Sequence, residues 1–153
     1  MTKWTILFFL LSFSTFGFAF EFNGNWEGEG QLLNSEVQYP IHEKLRVVVS
    51  HLQNQLEIAI CMIELDKEHD PKCFENEYTE TRGIISKKMT GEIVGEITSD
   101  KISIIDFSLE NENTILKNIS LELTEKDKMN MIFNQIENQT NHKLELQGSL
   151  IRE

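Results

Sequence analysis

From Glu43 to the C-terminus the chain runs strand after strand, segments in which apolar and polar side chains alternate, and in the last third these are about ten residues long and separated by two to four turn-forming residues. Leu45, Val47 and Val49 alternate with Arg46, Val48 and Ser50. After Gln53-Asn54, Leu56, Ile58, Ile60 and Met62 alternate with Glu57, Ala59, Cys61 and Ile63. The last third reads KISIIDFSL, TILKNISLELT, KMNMIFNQIE and HKLELQGSLIR, punctuated by Ser99-Asp100, Asn111-Glu112-Asn113, Glu125-Lys126-Asp127 and Asn138-Gln139-Thr140-Asn141. A period of two rich in β-branched residues describes half-buried strands. Turns this short join consecutive strands antiparallel. No segment after residue 20 keeps a helical period over three turns. Eight or nine strands are counted, the segment at residues 82–89 being the irregular one. An open meander of this length leaves edges free to pair with other chains, and closure removes them. The expected fold is therefore all-β: a closed antiparallel up-and-down barrel of about 8–10 strands.

The first strand is read from residues 22–33, FNGNWEGEGQLL. Alternation puts Trp26, Gly28, Gly30 and Leu32 on one face and Glu27, Glu29 and Gln31 on the other. A large indole beside two positions without side chains suits a strand that plugs one end of a small barrel. Gly24, Gly28 and Gly30 are structural in this reading, since glycine lets a strand bend or be crossed closely. Further along, Phe74 and Tyr78 share a phase. Ile93 and Ile97 are expected to face one way and Val94 the other. Phe107, Met131, Phe133 and Tyr78 are expected to point inwards.

Residues 1–19 lie outside this fold. Lys3 precedes the apolar run WTILFFLLSFSTFGFAF, which ends in Gly17-Phe18-Ala19. A basic start, an apolar middle and small residues at the cleavage positions describe a secretory signal peptide cut after Ala19. The 17-residue run is short for a membrane span and carries Ser12, Ser14 and Thr15. Residues 20–153 then form a single domain, secreted or periplasmic, with no span after cleavage and a monomeric state expected. Cleavage leaves 13 basic against 25 acidic residues, a net charge of −12. Such a surface repels nucleic acid, which needs a basic footprint, and tolerates or attracts basic protein partners, although the plainer reading of the charge is a solubility device. Cys61 and Cys73 are expected to form one disulfide across the charged turn DKEHDPK. Closing a loop of about a dozen residues adds roughly 3 kcal/mol by restricting the unfolded chain.

Gly24-Asn25-Trp26, directly after a leader and ahead of an antiparallel meander, resembles the opening G-x-W segment of the calycin superfamily of lipocalins and fatty-acid-binding proteins. The resemblance implies a barrel whose tryptophan packs across the closed end and whose interior takes a small molecule. The chain is short for a lipocalin and has neither a C-terminal helix nor a clear T-D-Y segment. Gly24-Asn25-Trp26-Glu27-Gly28-Glu29-Gly30, followed by Tyr39-Pro40 and Glu43, also resembles the opening of nitrobindin-like haem barrels. That resemblance implies haem on a histidine of a late strand. His142 opens the last strand, but its neighbours do not match, so no cofactor is expected.

No catalytic signature is found: there is no nucleophile elbow, phosphate loop, H-E-x-x-H or dinucleotide fingerprint. Zinc has neither C-x-x-C nor paired histidines to hold it. The acids Glu64, Asp66, Glu68 and Asp70 lack the glycine and spacing of a calcium loop and read as a solvated turn. His51 reads as a strand-end histidine near solvent. Asn118-Ile119-Ser120 and Asn138-Gln139-Thr140 are glycosylation sequons that carry meaning only in a eukaryotic source. Two readings stay open, both non-catalytic. One is a lipocalin-like binder of a small apolar molecule, lined by Ile58, Ile60, Met62, Tyr78 and Met131 towards the mouth opposite Trp26. The other is a filled-core acidic interaction protein, such as an inhibitor of a basic secreted enzyme.

Overall fold

The computed structural model describes residues 21–35, 39–63, 71–110 and 113–153. The leader at 1–19 and the acids Glu64, Asp66, Glu68 and Asp70 lie outside the described residues. Ten strands follow in chain order: β1 (Gly24–Asn34), β2 (Ile41–Leu52), β3 (Gln55–Ile63), β4 (Lys72–Thr81), β5 (Ile84–Lys87), β6 (Ile93–Ile97), β7 (Lys101–Glu110), β8 (Asn113–Glu125), β9 (Lys128–Glu137) and β10 (His142–Arg152). Each pairs with its chain neighbours, and β1 pairs antiparallel with β10, so the sheet closes into one up-and-down barrel. The irregular segment at 82–89 supplies β5. Its entry turn places Arg82 at φ 55° and Gly83 at φ 83°, two successive left-handed residues that match the twist of a two-residue hairpin.

One end of the barrel is closed by Trp26. Its ring is fully buried with Phe22, and its Nε1 donates to the Phe22 carbonyl at 2.9 Å. The Arg152 guanidinium lies 4.5 Å from the ring centroid, a cation over an aromatic face. Arg152 also donates to the Glu21 carbonyl, which ties the last strand to the segment before the first. Above this plug Leu45, Val47, Val49, Leu56, Ile58, Ile60, Ile102, Ile104, Ile119, Leu121, Met129, Met131 and Phe133 form one continuous apolar cluster.

The glycines of β1 answer to a crossing. Gly30 stands opposite Gly148 in the β1–β10 ladder, and the side chain of Leu45 lies over both. A methyl group at Gly30 would fall 2.2 Å from Leu45 Cδ1, and one at Gly148 would fall 2.9 Å from the same atom. At Gly28 it would meet the Ser149 carbonyl oxygen at 2.2 Å. Cys61 and Cys73 are bonded, directly opposed on β3 and β4 with Cα atoms 4.0 Å apart.

Three expectations are corrected. Phe107 points out, not in, and is 54% exposed. In β7 both phases carry large apolar residues, and Ile102 and Ile104 take the inside by pairing with Leu121 and Ile119. Alternation then turns Ile105, Phe107 and Leu109 outwards and Asp106 and Ser108 inwards. In β6, Ile93 is exposed while Val94 and Ile97 are both buried. The register against β5 slips between Ile85 and Ser86, and a bulge of this kind reverses the phase of the residues beyond it. His51 is tucked in rather than solvated. Only 9% of its side chain is exposed, and Nε2 is 3.0 Å from Glu80 Oε2. Asn23 Oδ1 accepts from its backbone N–H at 2.7 Å.

Candidate functional site

The interior changes character away from Trp26. Register carries one row from Asp106 on β7 through Lys117, Gln135 and Leu144 to Asn34 on β1. The next row up runs Ser108, Ile115, Glu137 and His142. Both rows are in phase with the buried Ile104, Ile119, Phe133 and Leu146, so their side chains face the barrel axis. Opposite them β4 contributes Phe74, in phase with Tyr78, and buried Asn76. Phe74 and Phe133 meet with ring centroids 4.9 Å apart at 36° and make an aromatic floor. Lys72 Nζ stands 5.7 Å from the Phe74 centroid. Among the described residues, the end away from Trp26 is therefore an apolar floor ringed by amides, hydroxyls and charges.

Its polar groups are unequally satisfied. Lys87 Nζ lies 2.9 Å from Asp106 Oδ1 and 3.0 Å from Glu92 Oε2, and donates to the Phe107 carbonyl. The Asp106 hydrogen bond in particular holds the Lys87 ammonium charged beyond its usual range. The Tyr78 hydroxyl reaches Asp106 Oδ2 at 3.5 Å. Burial, reinforced by the Asp106 charge, pushes the Tyr78 phenol well above its usual range. Gln135 Nε2 donates to Glu137 Oε1 at 3.3 Å. In contrast, Ser108 Oγ and Asn113 Oδ1 are buried with no hydrogen-bond partner. Both belong to the inward phase, since Ser108 opposes the buried Ile115 and Asn113 lies two residues before it. Lys117 is half-buried, and no carboxylate among the described residues pairs with it. Buried polar groups normally find partners, so these atoms mark a place where a hydrogen-bonding molecule can be held.

The five residues expected to line the cavity all point inwards. All five belong to the buried apolar cluster, and the Tyr78 hydroxyl also reaches Asp106 of the polar row. His142 opens β10 at the rim, half-buried and across from Glu137. Asp106, Ser108, Lys117 and Gln135 were not singled out from the sequence. The available signal was a polar residue continuing the inward apolar phase on adjacent strands, as in Ile119 to Lys117 and Phe133 to Gln135.

Among the described residues, concavities also lie on the outside of the barrel. A groove of about 530 Å³ runs over the glycine crossing, lined by Glu29, Gln31, His42, Asn130, Gln147 and Ser149 among others. It is the outer face of the saddle that Gly30 and Gly148 permit. A second, of about 440 Å³, sits beside Arg152 at the closed end with Asp100 and Glu125.

No family model matches the sequence, and no curated relative does. Solved structures match by shape. A protein of unknown function from the DUF3598 family of Nostoc punctiforme is 10% identical with a TM-score of 0.62. The match covers 88% of this chain and 49% of that one, so this chain spans about half its length. Rv2717c from M. tuberculosis is 14% identical with a TM-score of 0.54, over 87% of this chain and 93% of that one. EF1p2_mFAP2b, solved bound to DFHBI, is 14% identical with a TM-score of 0.50, over 88% and 96%. At such identities the likeness is one of fold: the chain is similar to a group of β-barrel structures, one of them solved around a small molecule.

Proposed function

We propose that this protein is an exported, non-catalytic barrel that binds a small amphipathic molecule at the end away from Trp26. The observation that carries the reading is the pair of buried, partnerless polar atoms, Ser108 Oγ and Asn113 Oδ1, facing inwards above the Phe74–Phe133 floor. An unpaired buried hydroxyl or amide costs about 1–3 kcal/mol in proteins, and a ligand's polar group removes that cost on binding. The apolar part of the ligand rests on Phe74, Leu144 and Ile115, and its polar part meets Lys117, Gln135 and Ser108. The half of the barrel nearer Trp26 is filled by its own side chains, which puts the seat above Ile58, Ile60 and Met131, with Tyr78 at its edge. The DFHBI bound by the similar barrel supports the same use of this architecture. The disulfide agrees with an oxidising compartment and thus with removal of residues 1–19.

The test is native mass spectrometry of protein purified from its own host, followed by thermal shift with a panel of amphipathic molecules. A ligand at 100 times its dissociation constant stabilises the fold by about 2.7 kcal/mol. Lys117→Met is expected to weaken that ligand while leaving the unliganded melting point close to wild type. No co-purifying mass and no shift with any member of the panel would sink the reading.

A further inference from the structure

The barrel wall has a notch. β5 and β6 are short: β6 pairs with β7 only as far as Ile104, and β5 pairs with β4 only from Tyr78 to Thr81. Beyond those points, among the described residues, no strand lies against β7 on that side. The Lys101 carbonyl accepts from Thr98 N–H on the β6 side. Backbone groups alternate sides along a strand, so Phe107 and Leu109 also turn their N–H and C=O towards the notch. The Phe107 carbonyl is taken by Lys87 Nζ, a side chain standing in for an absent neighbour. Among the described residues, the Phe107 N–H and both groups of Leu109 have no strand to bond.

The outer face of the same stretch is apolar. Ile105, Phe107 and Leu109 are 53%, 54% and 75% exposed. Phe107 continues across the sheet to half-buried Leu116 and Ile136. Native edge strands are ordinarily blunted by charge or cover, and a contiguous apolar patch beside a bare edge marks an interaction site. The surroundings set the sign of what fits. Glu75 of β4 and Glu96 of β6 are exposed around the notch, while Glu77 and Glu92 beside them are paired with Lys88 and Lys87, on a chain of net charge −11. A second copy brings the same acids and a whole barrel wall, whereas the gap left by two short strands admits an extended segment.

We propose that the β7 edge at Phe107 and Leu109 is a docking site for an extended, basic segment of a partner protein. The segment adds as a strand, with alternate apolar side chains covering Ile105, Phe107 and Leu109. This is strand addition to a sheet edge, in which main-chain hydrogen bonds supply affinity and side-chain alternation supplies choice. It is independent of any ligand in the barrel.

The probe is a fluorescent, end-blocked decapeptide of alternating valine and lysine, titrated into the disulfide-bonded protein by anisotropy. Three comparisons accompany it: the valine–glutamate peptide, the valine–lysine peptide N-methylated at every second residue, and the Phe107→Glu and Leu109→Glu variants. Saturable binding of the first peptide is expected, at least about tenfold weaker in each comparison, and unchanged by Ile151→Glu on a distant exposed position. Hydrogen exchange of the wild-type protein checks the site without any variant, since the peptide must slow exchange of the Phe107 and Leu109 amides. Equal binding of the N-methylated peptide, protection confined to other strands, or no binding at all would overturn the proposal. So would a dimer of the protein alone that Phe107→Glu dissolves, which would make a second copy the occupant.

Discussion

Replacing Gly30 by alanine tests whether the glycine crossing exists to seat Leu45. Gly30 is not among the residues in the left-handed region, so the backbone tolerates alanine and only space resists it. The new methyl falls 2.2 Å from Leu45 Cδ1 and 2.6 Å from the Gln147 carbonyl oxygen. Overpacking of this kind costs about 1–3 kcal/mol. Reduced freedom of the unfolded chain returns about 0.4–1 kcal/mol, leaving a net loss of about 1–2 kcal/mol. Leu45→Ala alone opens a hole in a fully buried site and costs about 2–5 kcal/mol. In the double variant the alanine methyl at position 30 occupies part of the volume that Leu45 vacates. The combined loss is therefore expected to fall short of the sum by about 1 kcal/mol, well beyond the scatter of independent sites. Urea unfolding followed by Trp26 emission measures all four proteins, Trp26 being the only tryptophan after Trp4. A Gly30→Ala protein as stable as wild type, or losses that add to within about 0.3–0.5 kcal/mol, would show that Leu45 does not depend on the missing side chain.

Three further outcomes are expected. Replacing both cysteines by alanine should lower stability by about 2–4 kcal/mol, because the bond closes a separation of 12 residues; equal urea midpoints with and without the bond would contradict this. Tyr78 and Lys87 both have folded pKa values raised above their unfolded ones, so their contribution is whole at neutral pH and is lost as pH climbs past about 10. Tyr78→Phe should accordingly flatten the alkaline fall in melting temperature, and an unchanged alkaline limb would refute the assignment. Glu27 is held below the usual carboxylate range by hydrogen bonds from Lys44 and Arg46. Its contribution is present above the ordinary carboxylate pKa and lost as pH falls through the lowered one. Wild type and Glu27→Gln should thus converge in stability below pH 4.5, and a gap constant from neutral pH to pH 3 would rule the pair out as a source of acid sensitivity.

How far the sequence could be read depended on whether a strand's two faces differ. In β2 and β3 they do: Leu45, Val47, Val49, Leu56, Ile58, Ile60 and Met62 have polar or small residues between most of them, and all seven face the core as expected. In β7 they do not. Ile102, Ile104, Ile105, Phe107 and Leu109 leave both phases apolar, and a one-residue choice turns every side chain over. The assumption that apolar means inside then placed Phe107 in the core and passed over Asp106 and Ser108. The same assumption hid Lys117 and Gln135, which look solvated until the ladder aligns them with Asp106 across three strands.

Local chemistry in the chain determined the alternation, the turns between strands, the tryptophan plug and the pairing of two cysteines close in sequence. Each depends on neighbours within a dozen residues, and such interactions are written in the order of the letters. Tertiary structure alone decided which face of β7 turns in, where β5 and β6 stop, that Leu45 lies over glycines 15 residues before it and 103 after it, and that one end of the barrel is polar. Those outcomes rest on ladder register between strands far apart in sequence. A side chain's surroundings across a closed sheet are set by the strands that come to lie beside it, and its own segment does not specify them.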